Sequence, residues 1–304
     1  MDLDPAILRQ LAMGAIPPGV ASLVLFALLW RRGTRKSGSR PILAALGLGL
    51  LYGAFHAWLF GLRFPPRESM DWLPLAAIAA AVGSCALACL PTGDHRPRWR
   101  PSIGGAVITI AVLGLVGWLA AGNLRKSWSA AETLENVGWF VLLTGLAWAG
   151  ASVLAHRRPG PVAPLTLLII AGGASQVLAL AFSSLKFAQS AGIWAAFLGG
   201  AMVVAFFRRG LSLARGGVLP PVAVTAAAVF QAFLITSADR PRLYIGLLVL
   251  SAIGAGLGAA FPTTGGRGRR ITGVLAPIVL AAIPVVIGVA VALAAAAGAD
   301  DYEY

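Results

Sequence analysis

Residues 102–122 read SIGGAVITIAVLGLVGWLAAG, a stretch of 21 positions without a charged side chain. About 20 helical residues are enough to cross the hydrocarbon core of a bilayer. The stretch therefore predicts a transmembrane helix, and similar apolar blocks recur along the whole chain.

The overall composition agrees with this prediction. Of the 304 residues, 58% are hydrophobic and 12% are charged, and the mean hydropathy is +0.83. A soluble domain carries about 25% charged residues, so this chain has too little polar surface to cover a globule in water. We expect an all-α, polytopic transmembrane bundle that forms a single integral membrane domain over residues 1–304, with the lipid bilayer as its surroundings.

The apolar blocks predict ten spans. They cover residues 14–30, 41–62, 73–90, 102–122, 137–155, 162–183, 191–207, 219–237, 243–261 and 273–297. The loops between them are short, so any activity must come from the helices or from the loop ends.

The basic residues indicate the direction of insertion. Alternate loops hold 16 of the 24 Lys and Arg residues, while the opposite side, with both termini, holds 10 of the 11 acidic residues. Since Lys and Arg accumulate in cytoplasmic loops, we predict that both termini lie outside the cytoplasm, with a bacterial inner membrane as the expected location. The net charge of +13 is spread over these loops, which argues against nucleic acid as a partner.

Three short motifs recur in the same order along the chain. They are WRRG at 30–33 with FRRG at 207–210, FHAWLF at 55–60 with FQAFLI at 230–235, and LPTG at 90–93 with FPTTG at 261–265. An offset of six spans keeps the direction of crossing, so we predict a parallel repeat with units 14–122 and 191–297 joined by a hairpin 137–183. Chance similarity between helices of one composition is the alternative.

Three polar side chains inside the spans are the candidate substrate-binding residues, namely His56, Gln176 and Gln231. A polar group in hydrocarbon is costly unless it is hydrogen-bonded, so we expect each to face the bundle interior. They either line a polar pathway or tie two helices together by an interhelical hydrogen bond, and the second interpretation is favoured.

The most polar loop, PTGDHRPRWRP at 91–101, is the candidate contact for a phosphate or a lipid headgroup. Its candidate residues are Asp94, His95, Arg96, Arg98 and Arg100. Arginine binds phosphate through two parallel hydrogen bonds. The alternative is an ordinary cytoplasmic turn, whose arginines only set the topology.

Two pairs of carboxylates three residues apart, Glu68 with Asp71 and Glu132 with Glu135, suit acid–base chemistry or helix capping. We favour capping, since SAAE at 129–132 has the pattern of a capping box. We place every Asp and Glu in a loop or tail, which disfavours a proton or sodium pump with a carboxylate at mid-membrane.

No metal site or cofactor is predicted. Cys85 and Cys89 share a helix face without further ligands nearby, so we interpret them as packing residues. A bis-histidine haem site would need a second histidine within the spans beside His56. Gly254 and Gly258 share another face and predict a close helix contact.

Three functions remain. The leading hypothesis is a permease or facilitator for a small or lipophilic solute, motivated by the repeat and the paired polar positions. The second is a non-catalytic subunit or scaffold that binds other membrane subunits, motivated by the absence of a catalytic constellation. The third is a lipid-modifying membrane enzyme that uses the 91–101 loop or the carboxylate pairs. Of these three, we favour the two without enzymatic activity.

Overall fold

The computed structural model describes residues 5–31, 40–61, 63–90, 103–208, 210–214, 216–236, 238, 240–262 and 267–299. Within these ranges the chain forms ten α-helices, two 3-10 helices and no strand. The α-helices are α1 Pro5–Leu29, α2 Arg40–Phe60, α3 Leu73–Cys89, α4 Ile103–Ala121, α5 Ala130–Arg157, α6 Val162–Leu180, α7 Leu185–Phe207, α8 Leu219–Ile235, α9 Pro241–Gly258 and α10 Arg267–Ala299. The 3-10 helices are Ser69–Trp72 and Leu124–Lys126.

The predicted all-α membrane bundle is confirmed. Of the described helices, nine are long and apolar enough to cross a membrane, and α8 is shorter, with 17 residues. Large apolar side chains such as Leu50, Ile110, Leu142, Phe206 and Leu250 are exposed on five different helices. Such an extensive apolar surface fits a hydrocarbon environment.

The boundary of α5 was predicted at residue 137, and the helix begins seven residues earlier, at Ala130. A capping box fixes this start. The Ser129 hydroxyl accepts a hydrogen bond from the Glu132 backbone N–H at 3.2 Å, and the Glu132 carboxylate accepts one from the Ser129 N–H at 2.7 Å. Hydropathy missed these first two turns because they contain the polar residues Glu132, Glu135 and Asn136.

Nine of the ten α-helices form a ring around α8. The order around the ring is α1, α2, α3, α4, α5, α9, α10, α6 and α7, which packs back onto α1. Inside the ring, α8 packs against α3, α4, α5, α6 and α7. It is buried at 12 of its 17 residues, as expected for a helix that is apolar on nearly every side.

The loops meet in two groups, at opposite ends of the bundle. At one end, the Arg158 guanidinium donates a hydrogen bond to the Phe261 carbonyl, and the Gly160 N–H donates one to the Leu211 carbonyl at 2.9 Å. These contacts join the loops after α5, α7 and α9. We call this the arginine end.

The opposite end carries Glu68, Asp71, Glu132 and Glu135, and we call it the acidic end. The Asn123 amide, after α4, donates a hydrogen bond to the carbonyl of Arg67, between α2 and α3, at 2.7 Å. Lys186, at the start of α7, lies 3.8 Å from the Glu68 carboxylate. The helices therefore cross the bundle in alternating directions.

The packing does not confirm the predicted repeat. Helices α1 to α4 are consecutive in the ring, whereas their proposed counterparts α7 to α10 are not, because α8 lies at the centre and α9 packs between α5 and α10. The candidate headgroup residues Asp94, His95, Arg96, Arg98 and Arg100 lie outside the described residues.

Candidate functional site

Gln231 of α8 lies fully buried and joins three elements at the acidic end. Its Nε2 donates hydrogen bonds to the carbonyl oxygens of Ser69, at 2.7 Å, and of Ala120, at 3.0 Å. Its side chain therefore ties the central helix to α4 and to the 3-10 helix Ser69–Trp72. The side-chain oxygen makes no hydrogen bond to the described residues.

His56 of α2 is also buried, with 1% of its surface exposed. Its ring lies 5.8 Å from the Tyr52 ring and 4.8 Å from the Phe60 ring, centroid to centroid. Neither ring nitrogen makes a hydrogen bond within the described structure. His56 is therefore enclosed mainly by aromatic rings, whereas Gln231 is held by two hydrogen bonds.

Gln176 does not join them. It lies one turn before the end of α6, and its side chain is exposed, so the expectation that it faces the interior is wrong. Near a helix end, an amide can reach the polar interface without burial.

The structure contains a cavity that the sequence did not indicate. It has a volume of about 610 Å³ and lies inside the ring, between α5, α6, α8 and α9. Its wall is mostly apolar, with a few polar groups at defined positions. Ligand pockets of roughly 300–1,000 Å³ with this kind of lining hold drug-sized molecules.

Charged groups surround the cavity at the acidic end. Glu135 and Asn136 come from the second turn of α5, and Arg242 comes from the first turn of α9, which begins at this same end. Among the described side chains, no ion pair within 4.0 Å joins Glu135 to Arg242. Both are exposed, so their charges are available to a ligand at this mouth of the cavity.

Aromatic side chains form the next layer below the mouth. Trp139 and Phe140 of α5 line the cavity together with Phe230 and Phe233 of α8. The rings of Phe140 and Phe230 approach to 5.2 Å, centroid to centroid, which fixes the relative depth of the two antiparallel helices.

Two hydroxyl groups lie deeper in the cavity. Thr144 is four residues beyond Phe140 on α5, and Thr225 is five residues before Phe230 on α8. At 1.5 Å per residue they lie at similar depths, about 6 to 8 Å below the contact between the two rings.

Glycines close the cavity toward the arginine end. A Cβ atom on Gly256 of α9 would lie 2.8 Å from the Gly150 Cα of α5, so the two backbones touch. The lining residues of α5, 135–147, and of α9, 242–252, all precede this crossing. The cavity therefore has a floor at the crossing and a mouth at the acidic end.

The close contact predicted for Gly254 and Gly258 is confirmed on the other side of α9. Added Cβ atoms there would lie 2.5 Å from the Leu280 carbonyl oxygen and 2.5 Å from the Pro277 Cα of α10. Small residues let helix backbones approach closely inside a membrane. The second half of α9 therefore packs closely between α5 and α10.

The carboxylate pairs act mainly in local structure. Glu132 caps α5, and the Asp71 carboxylate accepts hydrogen bonds from the backbone N–H groups of Arg67 and Glu68, both at 2.9 Å. The placement of every acidic residue in a loop or tail is wrong, because Glu132 and Glu135 belong to α5. Glu135 alone of these four lines the cavity.

Cys85 and Cys89 are free thiols on α3, the first half-buried and the second exposed. Within the described residues, no group of three or more His, Cys, Asp or Glu side chains is placed to hold a metal ion.

Sequence reasoning missed Thr144, Thr225 and Arg242 as site residues, and it considered Glu135 only as part of a carboxylate pair for which capping was favoured. Thr144 and Thr225 are too weakly polar to stand out in an apolar helix, and the two charged residues were taken as loop positions. The signal that was available is a helical spacing, since Asn136, Phe140 and Thr144 follow one another at intervals of four residues and so lie along one side of α5.

No family model, no curated protein and no solved structure matches this chain.

Proposed function

We propose that this chain is a membrane facilitator for a small amphipathic solute, which enters the cavity from the acidic end. The cavity supports the proposal because its apolar wall and its polar mouth suit a molecule with an apolar body and a polar head. The depth of the cavity within the bundle also supports the proposal, since transporter sites lie near the middle of the bilayer.

The charges at the mouth favour a zwitterionic head. A cationic head would be attracted by Glu135 but repelled by Arg242. An anionic head would be attracted by Arg242 but repelled by Glu135. A head with both charges pairs with each of them, and like-charge contacts are avoided. We therefore take N-octyl-N,N-dimethylglycine as the probe, with octyltrimethylammonium and octyl sulfate as singly charged analogues.

The test is efflux of radiolabelled N-octyl-N,N-dimethylglycine from proteoliposomes. We expect faster efflux with the protein than from empty liposomes, and competition by the zwitterion that is stronger than competition by either analogue. Ala226→Phe puts a ring into the cavity and should reduce the protein-dependent rate by about tenfold or more, because a blocked pocket loses most of its binding free energy. Ala149→Phe, on the exposed face of α5, is the matched control and should transport normally.

The other hypotheses correspond to other outcomes of this experiment. Saturable binding without efflux would contradict a facilitator and support a solute-binding subunit of a larger membrane assembly. Chemical conversion of the probe, detected by mass spectrometry, would support the enzyme hypothesis. Equal efflux from wild-type, Ala226→Phe and empty liposomes, without binding, would reject the cavity as a solute site.

We further propose that the arginine end faces the cytoplasm, as its basic loops favour. The solute would then enter the cavity from the side opposite to the cytoplasm. The glycine crossing of α5 and α9 would have to open for the solute to pass through.

A further inference from the structure

The buried hydroxyl groups of this protein fall into two classes. Eight serine and threonine side chains are buried in the described residues, and six of them make hydrogen bonds. The six are Ser22, Ser84, Thr109, Thr166, Ser190 and Ser251. No hydrogen bond is formed in the described structure by the hydroxyl groups of the other two, Thr144 and Thr225, which are the two that line the cavity, and the Thr225 oxygen is itself fully enclosed.

The difference is not explained by helix geometry. Ser84, Thr109, Thr166 and Ser251 each donate to the backbone carbonyl four residues earlier, at 2.8 Å. This is the usual way for a hydroxyl inside a helix to satisfy its donor. Thr225 also lies in the interior of a helix, but its hydroxyl does not donate to the carbonyl four residues earlier.

An unsatisfied hydroxyl in a membrane interior is costly. The Thr225 hydroxyl oxygen is enclosed and without a partner in the described structure, so water does not replace its missing bond, and the side chain of Thr144 is only 2% exposed. A threonine in a helix has two accessible χ1 positions, so rotation about one bond can turn either hydroxyl toward an oxygen in the cavity.

We propose that Thr144 and Thr225 recognise a hydroxyl or carbonyl oxygen at the distal end of the solute. This inference rests on the proposed function and adds a second recognition point to it. The charged mouth at Glu135 lies nine residues from Thr144, or about 13 Å along α5. The solute is therefore an elongated molecule with a zwitterionic head, an apolar middle beside the aromatic layer, and a polar oxygen at its far end.

The test compares two probes that differ by one oxygen atom, N-octyl-N,N-dimethylglycine and N-(8-hydroxyoctyl)-N,N-dimethylglycine. Both compete against the radiolabelled octyl probe for the full-length protein in lipid nanodiscs, and nanodiscs with Ala226→Phe give the background of lipid partitioning. We expect the hydroxylated probe to compete about three- to tenfold better, as one added hydrogen bond allows. Partitioning alone would favour the plain octyl probe, so the two effects have opposite signs.

Variants assign the preference to the two threonines. Thr144→Val with Thr225→Val should bind both probes equally, whereas Thr144→Ser with Thr225→Ser should keep the preference. Thr166→Val is the matched control, because Thr166 is buried on α6 but its hydroxyl is bonded to the Val162 carbonyl and does not line the cavity. It should behave as the wild type.

Two results would overturn the inference while leaving the proposed function intact. One is a wild-type protein that binds both probes without preferring the hydroxylated one. The other is a double valine variant that keeps the preference. If neither probe binds more to the wild type than to Ala226→Phe, both the proposed function and this inference are wrong.

Discussion

The two sides of α8 differ in whether their polar groups donate hydrogen bonds to neighbouring elements. Toward α4 and the 3-10 helix Ser69–Trp72, the Gln231 amide donates two hydrogen bonds and the helices are packed together. Toward α5 and α9, Thr225 has no hydrogen-bond partner among the described residues and borders a cavity. The same central helix thus has one side that holds the bundle together and one side that is left open. On α8, the group that holds neighbouring helices has its donor hydrogen-bonded, whereas the hydroxyl that borders the cavity is left for a ligand to bind.

The floor of the cavity should be the most sensitive point of the open side. Gly150→Ala places a Cβ atom against the Ala252 carbonyl of α9, so it should lower the free energy of unfolding by about 3 kcal/mol through overpacking. Thermal unfolding in detergent measures the effect. Gly138→Ala on the same helix has open space around it and should be neutral or slightly stabilising, since alanine favours a helix. Equal effects of the two substitutions would argue against the crossing as a floor.

The packed side should respond to the loss of Gln231. Gln231→Leu removes two interhelical hydrogen bonds and should cost about 2 kcal/mol, at roughly 1 kcal/mol for each bond in a membrane protein. The melting temperature should fall, while binding of N-octyl-N,N-dimethylglycine by the folded protein should be retained. Gln176→Leu is the control and should leave stability unchanged, because Gln176 is exposed. Loss of probe binding in a folded Gln231→Leu protein would indicate that Gln231 contacts the solute.

The threonines should give the smallest change in stability, with the opposite sign. Thr144→Val and Thr225→Val keep the shape of the side chain and remove a hydroxyl that has no partner, so each should stabilise the fold by up to about 1 kcal/mol. Thr166→Val removes a hydroxyl that is hydrogen-bonded and should not stabilise it. Differential scanning fluorimetry of the three variants is sufficient. A fall in melting temperature for the cavity variants would mean that their hydroxyls have a structural role.

Much of the architecture could be predicted from the sequence, because the hydrophobic blocks report directly which segments cross a bilayer. The start of α5 was misplaced for the same reason, since its first two turns contain polar residues and their beginning is fixed by Ser129 and Glu132. Gln231 was singled out correctly as a buried polar residue, whereas Gln176 was not. Both look alike in a sequence, and only the direction in which each side chain points distinguishes them.

The sequence by itself determined that this chain is a bundle of about ten apolar helices, since the cost of leaving backbone groups unsatisfied in lipid permits little else. The order of the helices in the ring, the central place of α8 and the cavity beside it were decided only by tertiary packing. Contacts such as Gly150 with Gly256 depend on which helices become neighbours, and hydropathy contains no information on that choice. The candidate site belongs to this second kind of feature, because Glu135, Thr144, Thr225 and Arg242 come together from three helices that are far apart in the chain.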